Sequence, residues 1–188
     1  MNKRIKWTDR SFDFTFPAGL YPEMIERVRG TPARLEDRIG SLPGAALQQR
    51  EGEKWSIQEN AGHLLDLESL VMERLNQYLA GVTELHAADM SNRKTHEADY
   101  NSVPVASILS DFREQRMTIV ARLDGLDAEI FVRSALHPRL GVPMRLVDMI
   151  FFQAEHDDYH LARISELARL FASQPLTTIP NSEFQCED

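Results

Sequence analysis

Apolar residues recur every three to four positions over four long stretches of the chain, and each stretch predicts an amphipathic helix. The first runs from Ala18 to Gly40, with Leu20, Met24, Val28, Leu35 and Ile39 on one side. Gly30-Thr31-Pro32 interrupts it, and a threonine cap followed by a first-turn proline restarts a helix, so this element reads as broken or kinked. The second starts at Ser56, which forms an S-x-x-E capping box with Glu59, and continues to about Leu79. Its apolar positions, from Ile57 through Leu64, Leu67 and Leu70 to Leu79, cover an arc of about 220° against roughly 100° for one buried face. An arc this wide predicts burial on two sides, with a second subunit as one candidate cover.

A third helix follows Pro104, carries Val105, Ile108, Leu109, Phe112, Ile119 and Leu123, and ends near Gly125. The fourth begins near Pro143, suited to a first turn, and reaches about Ser173 on a stripe that includes Leu146, Ile150, Ala154, Leu161, Ile164 and Phe171. Pro175 and the polar end stop it. Between the helices, the polar stretch from Gly81 to Asn101 reads as a long crossover with little regular structure, and Phe131 to Val142 reads as turn. With no convincing strand pair, the expected class is all-α, a four-helix bundle. One domain is expected over 1–188, with its core at about 19–172 and a polar C-terminal tail at 173–188.

Composition is that of an ordinary globular chain, 43% apolar and 27% charged. The formal net charge of -8 repels phosphate backbones and anionic lipid headgroups, so neither nucleic acid nor membrane is the expected partner. No 18-residue apolar run occurs and the basic start lacks an apolar follow-on, which predicts a soluble cytoplasmic protein. The single cysteine, Cys186, lies in the tail and excludes an intrachain disulfide.

Candidate chemistry resides in three histidines. His156 and His160 are four residues apart on the fourth helix and stack on one side of it, at roughly −120° and −80° from Ile150. His63 lies at roughly −100° from Leu64 on the second helix, between Leu67 and Leu70. All three border the apolar faces and can enter the bundle interior. Three neutral imidazoles plus water make an open divalent-metal site, whereas a buried metal-free set would need other partners for its ring nitrogens.

Neighbouring residues extend the picture. Asp157 falls mid-stripe, where a carboxylate needs a cation or donors; it can accept the second ring N–H of a ligating histidine, His63 in the first instance, or make a structural bond to the first or third helix. Arg163, on the His156 side, can reach an anionic substrate or remain solvated. His137 is a candidate general acid or base, with a plain turn residue as the alternative. No catalytic residue is assigned.

Trp55-Ser56-Ile57-Gln58-Glu59-Asn60-Ala61-Gly62-His63-Leu64, Asp99-Tyr100-Asn101, His137-Pro138-Arg139-Leu140-Gly141 and Glu155-His156-Asp157-Asp158-Tyr159-His160-Leu161-Ala162 together resemble the DinB/YfiT-like superfamily of metal-dependent enzymes. The resemblance spans roughly Gly19 to Phe171. It implies an up-down-down-up bundle, often a homodimer, with a divalent metal on His63, His156 and His160. Related proteins are similar to thiol-dependent transferases and isomerases using mycothiol, bacillithiol or glutathione, and some are labelled hydrolases. The family often has Gln where this chain has Arg163.

The resulting expectation is a metal site that activates water or a low-molecular-weight thiol toward a small-molecule substrate, in a thiol S-transferase or hydrolase. Zinc or nickel is preferred and iron also fits, since the affinity order does not select among them. The alternatives are a non-catalytic metal- or ligand-binding stress-response module and a metal-free dimerising scaffold.

Overall fold

The computed structural model describes residues 4–172. Cys186, Pro175 and the polar tail expected at 173–188 lie outside these residues. Seven helices and one hairpin follow in order: α1 (Tyr21–Arg29), α2 (Thr31–Gly40), α3 (Gly44–Gln48), α4 (Ile57–Ala80), α5 (Arg93–Glu97), α6 (Val105–Asp124), β1 (Ser134–His137), β2 (Val142–Arg145) and α7 (Leu146–Ala172). The kinked first helix is the pair α1 and α2, with Pro32 at the restart; Thr31 is not the cap expected of it, because Gly30 holds that position and the Thr31 hydroxyl is turned to Asp157. Both halves of the expected capping box are made at Ser56 and Glu59, and Gly81 ends α4 in the left-handed region at φ 70°.

Ion pairs and hydrogen bonds give the helix directions. Arg29 bonds Asp124 while Glu36 bonds Arg113, so the α1–α2 rod runs antiparallel to α6. Ser56, just before α4, bonds Asn101, just before α6, and Arg122 reaches Asn76 at their far ends, so α4 and α6 are parallel. Tyr78 donates to the Met144 carbonyl and His160 lies against Asn60, which makes α7 antiparallel to α4. The order is up-down-down-up. Parallel neighbours require the chain to return along the bundle, about 30 Å for a 20-residue helix, and residues 81–104 do so.

Two expectations about the links are corrected. The 81–101 crossover holds α5 and a short 3-10 turn, Tyr100–Ser102, both built against α4. The segment read as turn is an antiparallel hairpin in which Ser134 pairs with Arg145 and His137 with Val142. Leu85 donates to the Leu136 carbonyl and Leu136 to that of Thr83, so the crossover pairs with β1 as well. Four-residue strands are too short to show an alternation. Pro143, read as a helix start, sits in β2; α7 begins three residues later, where Asp148 accepts from the Arg145 amide.

The apolar core is in two parts separated by a polar layer. One part gathers Val28, Leu75, Ile119 and Ala154; the other gathers Leu35, Leu64, Phe112 and Leu161. Between those positions each of the four rods contributes a buried polar residue: Thr31, Glu68, Arg116 and Asp157. Arg116 bonds both Glu68 oxygens at 2.9 and 2.7 Å and Asp157 at 2.5 and 3.2 Å, and also donates to the Val28 carbonyl. Burial opposes the guanidinium charge, but the two carboxylates outweigh it and hold Arg116 protonated.

Candidate metal centre

Beside that layer, His63 on α4 and His156 and His160 on α7 turn their rings toward one point. Ring centroids are 5.4 Å apart for His63 and His156, 4.8 Å for His63 and His160, and 4.5 Å for His156 and His160. One ligand atom from each lies within 4.8 Å of the other two, a group that can hold a metal ion. All three side chains are buried.

Local structure orients two of the rings through Nδ1. Asn60, in the first turn of α4, donates its amide to the Ser56 and Trp55 carbonyls, leaving Oδ1 to accept from His160 Nδ1 at 2.9 Å. His63 Nδ1 lies 3.0 Å from Thr95 Oγ1, and Thr95 donates to Asp66 at 2.8 Å, so the hydroxyl oxygen is free to accept the His63 N–H. Asp66 also accepts from the Tyr100 hydroxyl at 2.7 Å. Tyr100 in turn packs on Gly62, where a Cβ would come within 2.2 Å of the ring. Each Nδ1 acts as a donor in these bonds, which leaves Nε2 of His63 and His160 with a free lone pair. His156 Nδ1 is buried and has no hydrogen-bond partner among the described residues.

Burial sets the charge of the cluster. Burial is the main cause holding His63 at about 4, below its ordinary value, against a smaller opposing pull from Asp66. Burial, with His63, Arg116 and Arg139 adding repulsion, lowers His156 well below the usual range, and burial with the other two histidines does so for His160. Three neutral imidazoles with an orphaned nitrogen among them are the donor set a divalent cation requires.

The centre forms part of the wall of a cavity of about 570 Å³. Trp55 covers His63 with ring centroids 4.7 Å apart, and Trp7, from the segment before the bundle, covers His156 at 5.0 Å. Leu67, Leu70 and Val71 line the same space, so part of the wide apolar arc of α4 faces the cavity.

The neighbours depart from expectation. Asp157 does not bond His63; it accepts from Thr31, Gln153 and Arg116, because mid-stripe on α7 it faces α2 and α6 while the histidines face α4. Its expected role beside His63 falls to Thr95 and Asp66, and Asn60 does the same for His160. Arg163 lines the cavity but is neither solvated nor free: it pairs with Glu51 at 2.7 Å and Glu166 at 3.5 Å. His137 is a buried strand residue in the cavity wall, not a plain turn residue. Burial, then Arg74 and Arg139, lower it to about 4 and leave it neutral at pH 7. Asn60 and Asp66 lie one turn either side of His63 and could have been flagged by that spacing; Thr95, 29 residues beyond Asp66, and Trp7 left no such signal.

A four-helix bundle that gathers three neutral imidazoles in the wall of a cavity defines a class of helical proteins with a prospective metal centre. The chain belongs to the DinB superfamily, whose model matches residues 27–164. Among solved structures it is similar to YfiT from Bacillus subtilis, described as a probable metal-dependent hydrolase with an unusual four-helix bundle topology: TM-score 0.75 and 20% identity, over 87% of this chain and 94% of that one. It is also similar to the mycothiol-dependent maleylpyruvate isomerase, with TM-score 0.62 and 9% identity over 79% of this chain and 61% of the other. The colibactin self-resistance protein ClbS, solved in complex with a dsDNA, matches with TM-score 0.61 and 15% identity over 78% and 94%. At these identities the solved structures speak to the fold. No curated protein matches the sequence. No helix among the described residues is long and apolar enough to cross a membrane.

Proposed function

We propose that His63, His156 and His160 hold one divalent cation, zinc or nickel by preference, and that the chain is a metal-dependent enzyme of the thiol S-transferase or hydrolase type acting on a small molecule. The observation that carries this reading is the condition of the three rings: buried, neutral, two of them held at Nδ1, and with ligand atoms within 4.8 Å of one another. A bound divalent cation supplies Lewis acidity that makes a coordinated water or thiol more acidic at neutral pH. The chain's own residues prepare for that. Thr95 and Asp66 fix His63, Asn60 fixes His160, and Trp7 and Trp55 keep bulk water from two of the rings.

Three protein ligands leave a coordination position open, which favours chemistry over a purely structural site. YfiT, described as a probable metal-dependent hydrolase, and the mycothiol-dependent isomerase supply the two candidate reaction types. Nucleic acid is proposed not to be a partner, on the net charge of -8; the ClbS relative on a dsDNA makes a duplex-binding assay the direct check. A homodimer is proposed on the family resemblance.

The deciding experiment is metal analysis of protein purified without a polyhistidine tag, followed by turnover assays with thiols plus electrophiles and with simple esters and amides. Stoichiometric metal with turnover supports the proposal. Metal without turnover would leave a binding module. Absence of stoichiometric metal, with a His63→Ala melting curve like that of the wild type, would leave the metal-free scaffold.

A further inference from the structure

Across Trp7 and Phe152 from the histidines, the cavity wall holds positive charge that meets no carboxylate among the described residues. Arg74 on α4 is only 3% exposed. Its Nε and Nη2 both donate to the His86 carbonyl, at 3.0 and 2.8 Å, while Nη1 points to His137 Nε2 at 3.4 Å and Met149 Sδ at 3.8 Å. Arg139, in the hairpin turn, places Cζ 5.9 Å from the Trp7 ring and 5.5 Å from the Phe152 ring. Its Nη2 is buried and has no hydrogen-bond partner among the described residues. Neither guanidinium takes part in an ion pair among the described residues, whereas Arg116, about as buried as Arg74, holds two carboxylates.

A buried charge is ordinarily paired, because losing hydration without a counter-ion is costly. Burial, with Arg139 adding to it, disfavours the charge of Arg74, and burial does so for Arg139, so in a chain whose net charge is -8 the lack of a paired anion among the described residues is conspicuous. The acidic residue that also lines this cavity, Asp89, is exposed and accepts from Ser91 and the Arg93 amide. Trp7 touches both regions, with its ring 5.0 Å from that of His156 and 5.9 Å from Arg139 Cζ.

We propose that Arg139, backed by Arg74 and His137, forms a carboxylate subsite, and that it holds a small organic acid whose other end reaches the three histidines. The planar fork of Arg139 suits a carboxylate, and its stacking on Trp7 and Phe152 keeps that fork in place. His137 Nδ1 accepts from the Leu140 amide, so the neutral ring carries its proton on Nε2 and can donate it to the anion. The first half stands on the arginines alone; the second rests on the metal reading. The carboxylate belongs either to a thiol co-substrate or to the molecule that the thiol or water attacks.

The test uses the untagged full chain, metal-free and zinc-loaded, followed by calorimetry and by the fluorescence of its two tryptophans, Trp7 and Trp55. Succinate, 3-mercaptopropionate, succinamide, 2-mercaptoethanol and inorganic phosphate are titrated into the wild type and Arg139→Ala. Arg139 is chosen because its partly exposed turn tolerates truncation better than the interior position of Arg74. In the metal-free protein, both carboxylates bind the wild type, the two neutral compounds do not, and Arg139→Ala weakens the carboxylates by about tenfold or more, the range for a charge-assisted bond. On zinc loading, a gain by 3-mercaptopropionate and not by succinate supports the thiol as the source; no such difference supports the other substrate. Equal binding of succinamide, equal affinity in Arg139→Ala, or tighter binding of phosphate than of succinate overturns the subsite. Carboxylate binding that persists in a protein unable to retain zinc overturns the metal reading and leaves the subsite standing.

Discussion

Two buried polar clusters share α7, and their condition differs. Asp157 belongs to a set with Arg116, Glu68, Thr31 and Gln153 in which donors and acceptors find each other. His156, the residue before it, belongs to a set that keeps ring nitrogens open, one of them buried without a partner among the described residues. The first cluster joins the four rods midway between the two halves of the core. The second borders a cavity. Polar residues buried on the same helix therefore separate by satisfaction: a closed network specifies how helices meet, and an open one leaves donor atoms for a ligand.

Breaking this contrast begins at the open cluster. His160→Ala is expected to lower affinity for zinc by more than about 100-fold, beyond the loss typical of an outer partner, while folding persists. Competition against a chromophoric chelator measures it, and unchanged affinity would remove His160 from the ligand set. The closed cluster should respond the opposite way. Arg116→Met leaves Glu68 and Asp157 buried and unpaired, at a cost of about 3–5 kcal/mol in urea unfolding of the metal-free protein. Replacing all three residues by apolar ones of similar volume should recover much of that stability; a loss below about 1 kcal/mol in Arg116→Met would contradict the reading of a closed network.

Asp66→Asn sharpens the comparison, because Asp66 belongs to the open cluster without facing the prospective cation. It weakens the acceptor behind Thr95 and His63, and zinc affinity should drop by about 10- to 100-fold with a smaller change in metal-free stability. If instead stability collapsed and affinity held, Asp66 would belong with the structural residues. The gentlest probe is pH. His63 is held at about 4 when folded and titrates near 6.5 when unfolded, so between those values the unfolded chain binds more protons. Stability of the metal-free protein is therefore fully present above pH 6.5 and declines as pH falls toward 4, a slope that His63→Ala should flatten. The same burial moves the onset of proton competition for metal in the folded protein below the 6.5 expected of free imidazole.

The sequence announced its helices through local signals that act within one or two turns. The capping box at Ser56 and Glu59, the Pro32 restart and the four-residue histidine spacing all describe atoms that meet once a helix forms, whatever surrounds it. Ring convergence was legible for the same reason, since a wheel position states which face a residue occupies. The hairpin was not, because β1 and β2 are stabilised by each other and by the 83–85 segment more than by any pattern of their own.

Sequence alone, then, determined the four amphipathic rods, the side from which each histidine emerges and the net charge of -8. Tertiary structure alone decided who stands behind those histidines and beside Asp157. A helical face constrains direction to within a sector, but a hydrogen bond needs two heavy atoms about 3 Å apart, and Thr95 and Arg116 reach that range of their partners only when distant segments pack. The guanidinium of Arg139 is of the same kind: that its Nη2 is buried with no partner among the described residues is a property of the folded cavity.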